Sequence, residues 1–151
     1  MIGVISDTHG LIRPEVHEAF QGVELILHAG DVGHPDVLRT LETIAPVIAV
    51  RGNNDRGAWA DDLPLTQVVE QANRFLYVLH ERDHLDLDPV AAEMGAVIFG
   101  HSHRPVVEYR QDVLFLNPGS AGPRRFSLPV TVARLTVTDS TIHPEIIELV
   151  R

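Results

Sequence analysis

The chain begins Met1 and then runs Ile2-Gly3-Val4-Ile5-Ser6-Asp7-Thr8-His9-Gly10, where a strand-like apolar stretch passes directly into a polar turn. The same succession of buried strand and polar turn recurs four more times along the chain. The predicted strands of this kind are Ile2–Ser6, Leu25–Ala29, Val47–Val50, Phe75–Leu79 and Ala96–Phe99. Helical patterns at Pro14–Gln21 and Pro35–Ile44 separate the first three, and this alternation predicts parallel βαβ units.

In the second half of the chain, the sequence pattern predicts antiparallel strands. Gln67–Glu70 pairs with the fourth strand in a predicted hairpin, and Asp88-Pro89 predicts a short helix that extends to Met94. Four further strands are predicted at Val106–Tyr109, Val113–Leu116, Val130–Thr138 and Thr141–Leu149. We therefore expect an α/β (α+β) protein in which two sheets pack face to face with helices outside, as a single domain over residues 1–151.

Composition narrows the classes of function. The chain has 151 residues, with 12 basic and 21 acidic side chains and a net charge of −9, which argues against binding to long nucleic acids or anionic membranes. It contains no Cys, so disulfides, thiolate metal sites and Cys nucleophiles are excluded. No apolar run approaches the ~18 residues of a transmembrane helix, and the N-terminus does not look like a signal peptide. We expect a cytoplasmic protein.

Polar side chains follow each of the five strands in the first series. They are Asp7 and His9, Asp31, Asn53, His80, and His101 with His103. Read singly, each is a turn residue or an incidental histidine. In parallel α/β sheets, however, ligands bind at the carboxyl ends of the strands, so these residues are predicted to share one edge.

Two carboxylates, one amide oxygen and four imidazoles form a mixed nitrogen and oxygen set. Such a set favours Mn, Fe, Co, Ni or Zn over Ca or Mg. Seven ligands suffice for two ions that share one carboxylate, and ions ~3.5–4 Å apart can hold a bridging hydroxide and clamp a phosphoryl group. The resulting site is cationic within an acidic protein, so a phosphate ester is the expected substrate.

Five blocks of the sequence and the isolated His80 resemble the motifs of a known family. The blocks are Ser6–Gly10, Gly30-Asp31, Gly52–Asp55, Gly100–His103 and Leu116–Ser120. In order and spacing the chain resembles the calcineurin-like metallophosphoesterases, especially their small bacterial and archaeal phosphodiesterases of the YfcE type. The resemblance implies a four-layer αββα sandwich with two metal ions. It also implies two ligand sets, Asp7, His9, Asp31 and His103 for the first ion and Asp31, Asn53, His80 and His101 for the second, with Asp31 as the bridging residue that positions the hydroxide.

Two positions depart from the pattern of the protein Ser/Thr phosphatases in this superfamily. There, a His follows the ligand Asn and acts as general acid, and an Asp three residues after the bridging Asp orients it. Here these places hold Asn54 and His34. Weak protonation of the leaving group would favour activated phosphodiesters, unless His34 itself supplies the acid.

Four residues are candidates for substrate contacts: Asn54, Arg104, Asn117 and Ser120. Each has an alternative interpretation as an ordinary turn or surface residue. The leading hypothesis is a metal-dependent phosphodiesterase that acts on a small phosphate ester. The alternatives are a phosphomonoesterase and a non-catalytic scaffold of the same fold, similar to the retromer subunit. Because every metal-ligand position carries a side chain that can bind a metal, an enzyme is favoured over the scaffold. Whether the protein forms a homo-oligomer is left open.

Overall fold

The computed structural model describes residues 1–150, which form ten strands and three short α-helices. The strands are β1 (Ile2–Ile5), β2 (Leu25–His28), β3 (Val47–Ala49), β4 (Thr66–Gln71), β5 (Arg74–Leu79), β6 (Ala96–Ile98), β7 (Pro105–Arg110), β8 (Val113–Pro118), β9 (Val130–Val137) and β10 (Ile142–Val150). The helices are α1 (Glu15–Ala19), α2 (Pro35–Glu42) and α3 (Ala58–Asp61). None of these helices has the length and apolar character needed to span a bilayer.

The strands form two mixed sheets of five. The first has the order β10-β9-β1-β2-β3 and the second the order β4-β5-β6-β8-β7. Strands β1, β2 and β3 are parallel in the first sheet, as are β5, β6 and β8 in the second. Antiparallel strands complete both sheets, so the predicted pair of sheets is confirmed and each of them is mixed.

The main core lies between the two sheets. Val4 and Leu27 of the first sheet belong to one buried cluster with Leu76, Ile98 and Leu114 of the second. The parallel strands are covered on both faces, which explains why their sequences are apolar throughout rather than alternating.

Helices cover the outer face of the first sheet. Val16 of α1 and Val37 and Leu41 of α2 pack in one cluster with Ile5 and Ile26 of the strands. Both helices end two residues short of the predicted limits, which is within the usual uncertainty of helix ends. Helix α3 had no predicted counterpart, because four residues carry too little periodic signal.

The outer layer on the second sheet is thin. It consists of a 3₁₀ helix at Arg82–His84 and turns around residues 89–93, held by Leu85, Leu87 and Met94 against the sheet. The helix predicted from Asp88 to Met94 is wrong. Asp88 does cap the N–H groups of Val90 and Ala91, but Glu93 takes a φ of 58°, which ends the turn so that the chain can enter β6.

Candidate metal centre

The carboxyl ends of the parallel strands meet at one edge of the sandwich, where five of the predicted residues form a compact cluster. Asp7 Oδ1 lies 3.4 Å from Nε2 of His103 and 3.9 Å from Nε2 of both His9 and His80. Asp31 Oδ2 lies 3.4 Å from Nε2 of His80 and 3.7 Å from that of His9. The Nε2 atoms of His9 and His103 are themselves 3.4 Å apart.

Two overlapping groups in this cluster have the spacing of a metal site. Asp7, His9 and His103 form one, and Asp7, Asp31 and His80 form the other, with all ligand atoms of each group within 4.8 Å of one another. Asp7 is common to both groups. Asp31 lies between His9 and His80, so both carboxylates occupy central positions, although the family resemblance assigns the shared role to Asp31 alone.

Unpartnered buried atoms point into this cluster. Asp7 Oδ1 and His80 Nε2 are buried and have no hydrogen-bond partner within the described chain. The other ring nitrogen of His80, Nδ1, donates to the carbonyl of Ala29 at 2.7 Å, so the neutral form of the ring directs the lone pair of Nε2 at the cluster. Buried polar atoms are nearly always partnered, and a divalent cation would satisfy an oxygen and a nitrogen placed in this way.

The backbone at this edge is held in an uncommon conformation. Asp7, His9, Asp31, His101 and His103 all have φ between 46° and 73°, in the left-handed region. Asp and His adopt this region more readily than most residues, but each instance still costs of the order of 1 kcal/mol. Such conformations persist where the surrounding structure enforces them, and they cluster at functional sites.

Two glycines allow the segments of the edge to approach one another closely. A Cβ atom on Gly52 would overlap the backbone nitrogen and Oδ1 of Asp31. A Cβ atom on Gly100 would overlap the Ser6 hydroxyl and lie 2.7 Å from Asp7 Oδ2. Larger residues at these two positions would therefore displace the carboxylates.

Hydrogen bonds fix the orientation of both carboxylates. Asp7 Oδ2 accepts from the Ser6 hydroxyl at 2.7 Å and from the His101 N–H at 3.0 Å. Asp31 accepts from the backbone N–H and the side-chain amide of Asn54, both at 2.9 Å. Asn54, predicted as a substrate contact, therefore uses its amide to hold Asp31.

The charges of the cluster are mutually stabilising. Burial alone would raise the pKa of Asp7 and of Asp31, but the neighbouring His rings and hydrogen-bond donors outweigh it and hold both pKa values below the usual range. Burial alone would lower the pKa of His80, but Asp31 and Asp7 outweigh it and raise that pKa. The site therefore keeps two ionised carboxylates buried, which is an electrostatic setting suited to cations.

Asn53 and His101 form an adjoining pair at the mouth of the cluster. Asn53 Oδ1 lies 3.3 Å from His101 Nδ1, and the ring of His101 stands edge-on to that of His80 with 5.2 Å between centroids. The side chain of His101 is 48% exposed. Its Nε2 lies 3.1 Å from Oε1 of Glu81, a residue that the sequence analysis did not single out although it directly follows His80.

Asn117 and Ser120 are buried supports of the edge. The Asn117 amide donates to the Gly100 carbonyl at 3.0 Å and the Ser102 hydroxyl at 3.2 Å, and its oxygen accepts from the Gly119 N–H. Ser120 donates to the Asp7 carbonyl at 3.0 Å. Both side chains are buried and support the backbone of the edge, so the predicted contacts of Asn117 and Ser120 with a substrate stay predictions.

His34 and Arg104 lie outside the cluster. The His34 side chain is 58% exposed and caps α2, where its Nδ1 accepts the Asp36 N–H at 3.1 Å. Arg104 is exposed next to His103. Neither side chain contacts the cluster through a hydrogen bond or ion pair in residues 1–150, so an acid role for His34 and a phosphate contact for Arg104 stay predictions.

One further buried residue, Asp55, ties the loops together; it lies in the block Gly52–Asp55, but no role was assigned to it from the sequence. Its carboxylate accepts the N–H groups of Val32, Gly33 and Gly52 at 2.8–3.2 Å. It thereby joins the loop after β2 to the loop after β3. Asp is common in turns, and the sequence around this one carries no signal that it accepts three bonds from two loops.

Residues 1–140 match the calcineurin-like phosphoesterase superfamily domain. The chain belongs to this superfamily. A probable metallophosphoesterase of Methanothermobacter thermautotrophicus is 38% identical, over 97% of this chain and 91% of the relative. The resemblance inferred from the sequence blocks is therefore confirmed at the level of the family.

Solved structures confirm the sandwich fold. An archaeal phosphodiesterase superimposes with a TM-score of 0.78 at 26% identity, over 97% of this chain and 99% of that one. Vps29 of Chaetomium thermophilum superimposes with a TM-score of 0.79 at 21% identity, over 97% and 94% of the two chains. At that identity the similarity to Vps29 shows a common fold alone.

Proposed function

We propose that this protein is a phosphodiesterase that hydrolyses a small phosphate ester at a centre of two divalent metal ions. The observation that carries the proposal is the pair of buried, unpartnered ligand atoms, Asp7 Oδ1 and His80 Nε2, which face each other at 3.9 Å within a ring of carboxylates and imidazoles. The phosphoesterase and phosphodiesterase names of its relatives support the same reaction class.

We assign the ions to the seven residues named from the sequence. Asp7, His9, Asp31 and His103 would hold one ion, and Asp31, Asn53, His80 and His101 the other, with Mn, Fe, Co, Ni or Zn as the candidates. When bound, two such ions lower the pKa of water towards neutrality and neutralise the oxygens of a phosphate.

The contribution of the protein is to fix the donor atoms before the substrate arrives. The Ala29 carbonyl holds the ring of His80, Asn54 holds Asp31, and Ser6 holds Asp7. Partners of this kind set the orientation and basicity of ligands. The donor atoms accordingly need little reorganisation to hold the ions.

The chain offers no imidazole at position 54 to protonate a leaving group. The Asn54 amide is occupied by Asp31 and is a poor proton donor in any case. We therefore expect esters whose leaving groups depart readily to be the best substrates. Replacement of His34 by Ala tests the remaining acid candidate, since an unchanged rate for esters with poor leaving groups would eliminate it.

The experiment removes metal with a chelator and restores each of the five metals separately. Hydrolysis of bis(p-nitrophenyl) phosphate and p-nitrophenyl phosphate is measured, together with the metal content by elemental analysis. We expect about two ions per chain and faster turnover of the diester. Asp31→Asn and His103→Ala should each lower the rate at least ~100-fold, which corresponds to about 2.7 kcal/mol in the barrier.

His17→Ala is the matched control, because His17 is an exposed histidine on α1 outside the centre. If the wild-type protein binds no metal and turns over neither ester, the scaffold alternative replaces the proposal. If the monoester is the better substrate, the protein is a phosphomonoesterase. A cytoplasmic location and any homo-oligomer stay predictions.

A further inference from the structure

A cavity of about 360 Å³ opens directly beside the proposed centre. His80 and Asn53 line its inner side. Its outer side is lined by Leu65, which directly precedes β4, by Thr66 at the start of β4 and by Leu79 at the end of β5. A group attached to a phosphate at the centre would therefore have this cavity within reach.

The outer wall is apolar although it faces solvent. Leu65 is 69% exposed, which is unusual for a large aliphatic residue at the edge of a polar site. Leu79 continues the same wall inside the protein. An exposed apolar surface that lines a concave site is typical of a surface that a ligand covers.

In the described residues, Arg51 and His84 on the cavity lining are each already paired with oxygen atoms of the protein. Arg51 bonds to the Asp55 carbonyl at 3.2 Å and lies 3.4 Å from the Asp61 carboxylate, and Nδ1 of His84 lies 2.9 Å from Oε2 of Glu81. The other charged residues on the lining are acids, Glu81 and Asp86. A phosphate or carboxylate on the substrate arm would meet these acids and would have to compete with them for Arg51 and His84.

We propose that this cavity binds a compact, uncharged, apolar arm of the phosphate ester. The substrate class is then phosphate esters with at least one aryl or alkyl arm of about phenyl size, and esters with a second anionic group on that arm are disfavoured. The inference rests on the proposed function, because the centre must hold the phosphate for the arm to reach Leu65.

The test compares two phosphodiesters of equal charge, diphenyl phosphate and dimethyl phosphate, by calorimetric titration into the metal-loaded protein. Because the charged group is the same in both compounds, the ratio of their dissociation constants measures how much the cavity contributes to binding. We expect diphenyl phosphate to bind about tenfold more tightly, which corresponds to about 1.4 kcal/mol. Leu65→Asp should reduce that ratio to about two, because the arm then meets a charged wall.

Val68→Asp is the matched control. Val68 is also an exposed aliphatic residue of β4, at 50% exposure, and it lies outside the cavity. It should leave the tenfold ratio unchanged. Leu65→Ser provides a second variant that removes the apolar surface without adding charge, and it should also lower the ratio if Leu65→Asp does not fold.

The possible outcomes distinguish a failure of the proposed function from a failure of the cavity to bind the arm. A wild-type protein that takes up no metal and binds neither diester defeats the proposed function itself. A protein that takes up metal and hydrolyses esters, yet binds both diesters equally, overturns the cavity inference alone. An equal loss of preference in Val68→Asp and Leu65→Asp would overturn it as well.

Discussion

Acid should destabilise the metal-free protein through one buried imidazole, His28. This residue ends β2 and is fully buried. Its Nδ1 accepts the Gly30 N–H at 3.1 Å, so Nε2 carries the proton and donates to the Thr8 hydroxyl at 2.9 Å. Thr8 in turn donates to the Val32 carbonyl. A neutral ring satisfies every hydrogen bond in this series. If Nδ1 were protonated, its hydrogen would point at the hydrogen of the Gly30 N–H.

The size of the effect follows from the pKa. Burial lowers the pKa of His28 from 6.5 to about 4. Above pH 6.5 the ring is neutral in both the folded and the unfolded chain and contributes nothing. Between pH 6.5 and 4, His28 binds a proton in the unfolded chain but not in the folded protein. The free energy of unfolding therefore falls as the pH falls. A difference of 2.5 in pKa amounts to about 3 kcal/mol, of which about 2 kcal/mol is lost by pH 5.

The measurement is urea unfolding of chelator-treated protein at pH 7 and pH 5, followed by circular dichroism. The wild-type protein is compared with His28→Gln, in which the side-chain amide can both donate and accept but cannot titrate. The other ionisable groups of the centre are present in both proteins, so their contributions cancel. The wild-type protein should lose about 2 kcal/mol more than the variant between the two pH values.

An equal loss in the two proteins would refute the reasoning, because it would mean that His28 is not kept neutral by the fold. His143→Gln is the control for the substitution itself. His143 is an exposed histidine of β10, so this variant should lose the same stability as the wild-type protein.

Two further predictions concern the centre. Gly52→Ala places a methyl group against Asp31, so we expect elemental analysis to find fewer than two ions per chain and thermal unfolding to show a lower Tm. Glu81→Gln removes the carboxylate that faces Nε2 of His101 and should weaken binding of the ion that we assign to His101 by about 10-fold in a metal titration. Asp83→Asn makes the same charge change on the adjacent 3₁₀ helix at a residue that forms no ion pair with His101 in residues 1–150, and it should leave that affinity unchanged.

The parallel strand-helix-strand units and the edge at which polar residues collect could both be predicted from the sequence alone. This was possible because buried parallel strands have unbroken apolar runs, and because each run was followed at once by its polar residues. Asp7, Asp31 and His80 were all recognisable in this way, and the structure brings them together. Their role as metal ligands is a proposal that rests on this geometry and on the chemistry of the donor atoms.

Contacts between segments that are distant in the chain could not be predicted from local sequence patterns. The helix expected after Asp88 gives way to a turn, because the short connection must enter β6 and pack Met94 on the second sheet. From the sequence, Asn117 was a candidate substrate contact with an ordinary turn as the alternative, and only the tertiary fold shows that its amide is buried beneath the loop that carries His101.

The tertiary structure alone also decided which residues support the site. Asp55 accepts bonds from two loops, and Glu81 meets His101 across 20 positions of sequence. The cavity beside His80 exists only because the start of β4 lies against the end of β5. Local sequence patterns encode the path of each strand, but which side chains face each other depends on packing between the strands, and that packing is a property of the whole chain.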